Sequence, residues 1–196
     1  MFWPDTISKK LGIQYPVIQA PMYGVSTVQM AVAAAKAGCL GSLALADLSA
    51  DQSVELIRET KRLTDKPFSA NIFVHHIPEV TDDLKEKYSK TKRFIEQLAR
   101  ENAIEVDLPD LETLNISGYH EQVDAIIEEN CKILSFTFGN LDDQSIRKLK
   151  ENGVTLIGTC TSVKEALLLE KSGIDMICVQ GIEAGGHRGS FEADNI

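Results

Sequence analysis

No apolar run in this 196-residue sequence reaches the length needed to cross a bilayer. The opening Met1-Phe2-Trp3-Pro4-Asp5 lacks the charged stretch and apolar core of a secretory signal. Positive charge is in deficit: 20 Lys and Arg against 29 Asp and Glu give a formal charge of −9. A surface of that sign repels phosphate backbones and anionic lipid, so neither a nucleic-acid nor a membrane partner is expected. Cysteine is scarce. Cys39, Cys131, Cys160 and Cys178 form no CxxC pair, and three lie in or beside apolar runs, the pattern of buried, reduced thiols in a cytoplasmic protein. No HxxxH or HExxH spacing occurs, and His75 and His76, adjacent on an extended segment, point to opposite sides, so no metal site is expected. His120 has no partner that the sequence identifies. A GxGxxG after the first strand and a Walker loop are also missing, which argues against Rossmann and P-loop nucleotide sites.

What is present is a regular alternation of short apolar runs and helical segments. Pro16–Pro21, Leu40–Leu45, Pro67–Val74, Ile133–Phe138, Val154–Thr159 and Asp175–Val179 read as strands. Between them, Thr27–Ala37 with Ser26 as N-cap, Asp51–Leu63 opened by Ser49, the Lys/Glu-rich Asp82–Glu101, Tyr119–Glu129, Asp142–Asn152 and Ser162–Ser172 read as helices. Gly38, Gly153 and Gly173 stop three of them. Residues 107–117, with Pro109, read as a loop. Strands that are almost continuously apolar and alternate with helices predict a parallel α/β sheet covered on both faces. A doubly wound sheet and a (β/α)8 TIM barrel both have this pattern. The stretch from Glu192 to Ile196 holds no helix to cover the sixth strand. The expectation is a barrel present through about strand six, with residues 1–196 as the N-terminal portion of one domain. The open strand edges of such a piece predict self-association.

In parallel α/β folds, ligands gather at the carboxyl ends of the strands. Gln19-Ala20-Pro21-Met22, Asn71, Ser135–Gly139, Gly158–Thr161 and Gln180–Gly189 all fall there. Taken singly each has a bland reading: Asn71 caps a turn, Met22 belongs to a core, Gln180 satisfies backbone groups. The densest stretch is Val179-Gln180-Gly181-Ile182-Glu183-Ala184-Gly185-Gly186-His187-Arg188-Gly189-Ser190-Phe191. Its glycines let backbone approach a ligand, and His187 is its one side chain that titrates near neutral pH. Arg188 either adds positive potential to the site or points to solvent.

Six stretches together resemble the nitronate monooxygenases, formerly 2-nitropropane dioxygenases: Pro16–Met22, Ala37–Ser42, Leu63–Phe68, Asn71–Val74, Ser135–Gly139 and Gln180–Gly189. The resemblance implies an FMN-dependent TIM-barrel enzyme that oxidises alkyl nitronates, such as propionate 3-nitronate, with O2 to a carbonyl compound and nitrite. It implies that Ala20, Pro21 and Met22 lie against the flavin ring, that Asn71, Gln180, Gly185 and Gly186 contact FMN, and that His187 is the catalytic base. The family's phosphate grip lies mainly after strands seven and eight, beyond the stretches matched. Flavin-dependent enoyl-ACP reductases, which use NAD(P)H, share the Glu-Ala-Gly-Gly-His run and are the rival enzyme. An inactive, self-associating piece of a barrel is the rival that is not an enzyme.

Overall fold

The computed structural model describes residues 5–114 and 118–192. Among these the elements run α1 (Asp5–Leu11), α2 (Val28–Lys36), β1 (Gly41–Ala46), α3 (Ala50–Leu63), β2 (Phe68–Phe73), α4 (Asp82–Glu101), a 3-10 turn (Leu111–Thr113), α5 (Tyr119–Glu128), β3 (Ile133–Thr137), α6 (Asp143–Glu151), β4 (Thr155–Cys160), α7 (Val163–Lys171) and β5 (Met176–Val179). The chain divides into two compact units, Met1–His75 with Ser117–Ile196, and His76–Ile116.

In the first unit, five parallel strands pair in the order β1-β2-β3-β4-β5. Sequential parallel pairing with helical crossovers is the winding of a (β/α)8 barrel, and this chain forms five ladder strands and one bridged segment of it. The bridged segment is the first apolar run. It joins the sheet only at Ile18–Leu40, with Gln19 N–H donating to Leu40 O at 2.8 Å and Leu40 N–H to Val17 O at 2.9 Å. Pro16 and Pro21, which have no N–H to donate, bracket the contact and keep it from lengthening into a ladder.

Alternation along each strand sorts side chains onto two faces. Leu43, Leu45, Ala70, Ile72, Leu134, Phe136, Leu156 and Cys160 join the main core with the helices. The opposite face has its own layers. Leu40, Ile133 and Ile157 form a small apolar floor with Leu11 of α1, against which Met176 and Ile13 pack. Two residues further along the strands the same face becomes polar, with Ser42, Ser69, Asn71 and Ser135. The seven-residue α1 was not foreseen. Its Leu11, only 2% exposed, is part of that floor.

Helix ends follow local chemistry. Ser49 and Gln52 form a reciprocal capping box on α3. Gly153 and Gly173 take φ of +70° and +76° just beyond α6 and α7, a backbone conformation in which glycine carries no Cβ penalty. The cap of α2 is a correction: Thr27, not Ser26, accepts from Met30 N–H, because the Ser26 hydroxyl is engaged in the preceding turn. In the second unit, α4 is capped by Thr81 and carries the exposed pairs Asp83–Lys87 and Glu86–Lys90. Tyr88 and Lys92 hold the following loop through Pro109 O and Asp110, both at 2.7 Å.

Candidate active site

A cleft of about 490 Å3 opens at the carboxyl ends of the strands of the first unit. Its walls bring together Ala20, Pro21, Met22, Asn71, Gln180, Gly185, Gly186 and His187, the eight residues for which the family resemblance implies a role at the site. Thr137, Phe138 and Thr159, from the other strand-end stretches, line it too. Tyr23, Val25, Phe73 and Cys178 complete the walls without having been anticipated. The period-2 pattern offered a signal for two of them, since Phe73 and Cys178 lie on the same face as Asn71 and Gln180. Cys178, expected to be buried, is exposed, because β5 is a terminal strand of the sheet and the cleft opens over it.

The Ala20–Met22 turn is braced from behind. Gln19 accepts Ser42 N–H at 2.9 Å and donates to Ala20 O at 2.7 Å and to the Ser26 hydroxyl at 3.1 Å. Ser26 in turn accepts Met22 N–H at 2.8 Å and donates to Ala20 O at 3.1 Å. The two side chains thus stand in for the ladder that Pro16 and Pro21 prevent.

Asn71 sits opposite Ser135 in the β2–β3 register and donates to its hydroxyl at 2.9 Å. It is 5% exposed. Its Oδ1 accepts no hydrogen bond from the described residues, so one acceptor in the cleft wall is available to a ligand. Beyond β3, Phe138 adopts φ +69°, a conformation uncommon for a bulky side chain and characteristic of functional sites. It packs edge-on to Phe73, centroids 4.8 Å apart, and to the His187 ring at 6.0 Å.

The loop after β5 is held largely by its own side chains. Gln180 donates to His187 O at 2.8 Å and accepts Gly189 N–H at 2.8 Å. Both polar atoms of its amide therefore serve backbone groups. Arg188 is not among the residues lining the cleft; its guanidinium bonds Gly181 O at 2.7 Å and Ile182 O at 3.1 Å. No atom lies within 4 Å of where a Cβ would stand on Gly185 or Gly186. The exposed His187 ring has no hydrogen-bond partner among the described residues, so both nitrogens are free to meet a ligand.

Outside the cleft, Asp142 at the start of α6 gathers Tyr119, His120 and Ser145. His120, unpartnered in the sequence reading, bonds this carboxylate at 3.1 Å and stacks on Tyr119. Burial raises the Asp142 carboxyl, but hydrogen bonds from Ser145, Tyr119 and Gln144 outweigh it and hold the group well below the usual carboxylate range. The Tyr119 phenol is pushed up to about 12 by burial and by the adjoining carboxylate. No group of three or more His, Cys, Asp or Glu that could hold a metal occurs among the described residues, and none of their helices is long and apolar enough to cross a membrane.

Residues 5–195 match the nitronate monooxygenase family. The chain is 39% identical over 186 residues to the nitronate monooxygenase of Paraburkholderia phytofirmans, covering 94% of this chain and 50% of that protein. It is 38% identical over 192 residues to that of Pseudomonas aeruginosa, covering 97% and 54%. Among solved structures it resembles a nitroalkane oxidase from Streptomyces ansochromogenes, with TM-score 0.78 at 31% identity over 95% of this chain and 51% of that one. It also resembles FabK from Thermotoga maritima, with TM-score 0.67 at 26% identity over 93% and 46%. The chain spans about half the length of the curated relatives it matches. By residues matched, by identity and by structural likeness, the chain belongs to the nitronate monooxygenase family.

Proposed function

We propose that this chain, as the N-terminal portion of a single FMN-binding barrel domain, carries the ring-facing and acid–base part of a cytoplasmic enzyme that oxidises alkyl nitronates with O2 to a carbonyl compound and nitrite. One observation carries the reading: three segments far apart in sequence, 20–22, 71 and 180–187, meet around one cleft. The residues present suit a flat, polar-edged cofactor. Met22 and Phe73 offer apolar surface, Asn71 a free acceptor, and Gly185 and Gly186 backbone with nothing in front of it. FMN, when bound, supplies the one-electron chemistry between nitronate and O2, and the protein supplies position and electrostatics. His187 removes the α-proton of a neutral nitroalkane, or, protonated, holds a nitronate by its charge. Gln180 keeps the His187 backbone in place.

The test has two parts. An enzyme that carries this portion together with the strands that complete the barrel is expected to bind FMN, seen as quenching of flavin fluorescence, and to release nitrite from propionate 3-nitronate in air. His187→Asn is expected to lower turnover of nitroethane by about a hundredfold or more, with a much smaller loss on the preformed nitronate. Equal losses on both substrates would remove the general-base role. The likeness to FabK favours a second reading, an enoyl-ACP reductase. Rapid bleaching of bound flavin by NADH, without nitrite from the nitronate, would identify it.

A further inference from the structure

Glu165 is fully buried, lies outside the cleft lining and takes no part in the chemistry above. Ser162-Val163-Lys164-Glu165 has the spacing of a capping box, in which the glutamate reaches back to the N–H of the capping serine. Only half of the box forms, with Ser162 Oγ accepting Glu165 N–H at 3.2 Å. The carboxylate goes elsewhere. One oxygen accepts Thr161 N–H at 2.6 Å and the Thr161 hydroxyl at 2.9 Å. The other accepts Phe191 N–H at 2.7 Å and Glu192 N–H at 3.0 Å. Thr161 and Ser190 hydroxyls also meet at 2.7 Å, and Phe191 packs against the main core. The charge has no cationic partner among the described residues. Backbone dipoles and the first turn of α7 stabilise it instead.

We propose that Glu165 is the positioning residue for the His187 loop. The bonds made by Gln180 and Arg188 are internal to residues 180–189 and give the loop its shape. They do not tie it to the barrel. At its front the loop is held to β4 by a single backbone bond, Gln180 N–H to Cys160 O at 2.9 Å. At its back the two Glu165 oxygens staple residues 191–192 to the end of β4. Without the staple the loop keeps its own contacts but loses its place opposite Phe138. The relevance to catalysis rests on the reading of His187 given above. The placement of the loop does not, and its test needs neither cofactor nor substrate.

The informative variant is Glu165→Gln. It is isosteric, but its amide nitrogen must face one of the two donor pairs, so half of the staple breaks without loss of packing. The chain holds four histidines, and its 13C-labelled imidazole spectrum can be assigned with His187→Asn. In Glu165→Gln the His187 signal is expected to move toward that of free histidine as the ring leaves Phe138. The His120 signal, set by Asp142 and Tyr119, is expected to stay. Trypsin cleavage after Arg188 should become roughly tenfold faster, as expected for breaking one charged hydrogen-bond pair, with cleavage after Arg58 in α3 unchanged. An unmoved His187 signal overturns the proposal. So does a joint shift of both histidines with faster cleavage at both sites, which makes Glu165 a general stability residue. If Glu165→Gln does not fold, Thr161→Val, which removes one donor and keeps the carboxylate, is read on the same two probes with the same expected direction.

Discussion

The two walls of the cleft are rigid for different reasons. The wall built from residues 19–26, β2 and β3 rests on parallel ladders, an apolar floor and fully buried side chains such as Leu45, Ile72 and Phe136. The wall built from the loop after β5 has little beneath it. Val179 and Ile182 are 74% and 82% exposed, and of residues 181–189 only Gly189 is buried. This second wall is held by side chains reaching backbone: Gln180, Arg188 and Glu165. Packing and ladders fix the first wall at the level of the whole unit. Hydrogen bonds fix the second locally, so it can open without the unit unfolding. In the proposed enzyme the rigid wall presents an unchanging surface to the ring, and the proton-handling residue rides on the wall that can move.

Matched glycine substitutions give the largest contrast. A Cβ at Gly139, at the end of the packed wall, would lie 1.8 Å from Val74 O and 2.9 Å from its carbonyl carbon. Backbone must separate there, so Gly139→Ala is expected to cost about 3 kcal/mol or more, at the upper end of overpacking, or to prevent folding. A Cβ at Gly185, on the loop wall, meets nothing within 4 Å. Gly185→Ala is therefore expected to change the midpoint of urea denaturation little while weakening FMN binding, because the methyl enters the space proposed for the cofactor. Equal destabilisation by both substitutions, in denaturation followed by circular dichroism, would erase the distinction between the walls.

The packed wall was also the legible one. Its strands were readable because each is a short apolar run with glycine or proline nearby, and the rule that parallel strands end at a site placed Asn71 and the Ala20–Met22 turn correctly on one rim. What failed to show depends on partners distant in sequence. Ser26 has the composition of a helix cap, yet its hydroxyl serves residues 20 and 22. Pro16–Pro21 has the composition of a strand, yet its prolines leave one bridge. Gln180 was open to two readings, cofactor contact or backbone partner. It lines the cleft while both its polar atoms bond His187 and Gly189. Glu165 was invisible for a similar reason: a local motif accounts for it fully, and its carboxylate's partners at residues 191 and 192 appear only when the chain returns.

A pH dependence separates the walls at a smaller scale. Burial raises the Glu165 carboxyl, but the N–H groups of Glu192, Phe191 and Thr161 and the Thr161 hydroxyl outweigh it, and the group sits below its usual range. A carboxyl depressed in the folded state stabilises the fold above its unfolded value, about 4.3 for glutamate, and that contribution is lost as pH falls through the folded value. The stability gap between the native chain and Glu165→Gln is therefore expected to be full at pH 7 and to shrink steadily below about pH 4. Urea denaturation at a series of pH values measures it. A gap that stays constant down to pH 2 would assign the loss to packing and not to the carboxylate.

The smallest effect belongs to the packed wall. Ser42, on β1 beneath the Ala20–Met22 turn, is fully buried, and its hydroxyl has no hydrogen-bond partner among the described residues. Its backbone N–H is the group that matters to the turn, through Gln19, and a substitution of the side chain leaves that bond in place. Removing an unpaired buried hydroxyl relieves desolvation and opens at most a small void, so Ser42→Ala is expected to be neutral or to stabilise by up to about 1 kcal/mol. Destabilisation by more than about 1 kcal/mol would mean that the hydroxyl holds a bridging water. The packed wall would then depend on polar contacts as the loop wall does, and the contrast between them would be one of degree.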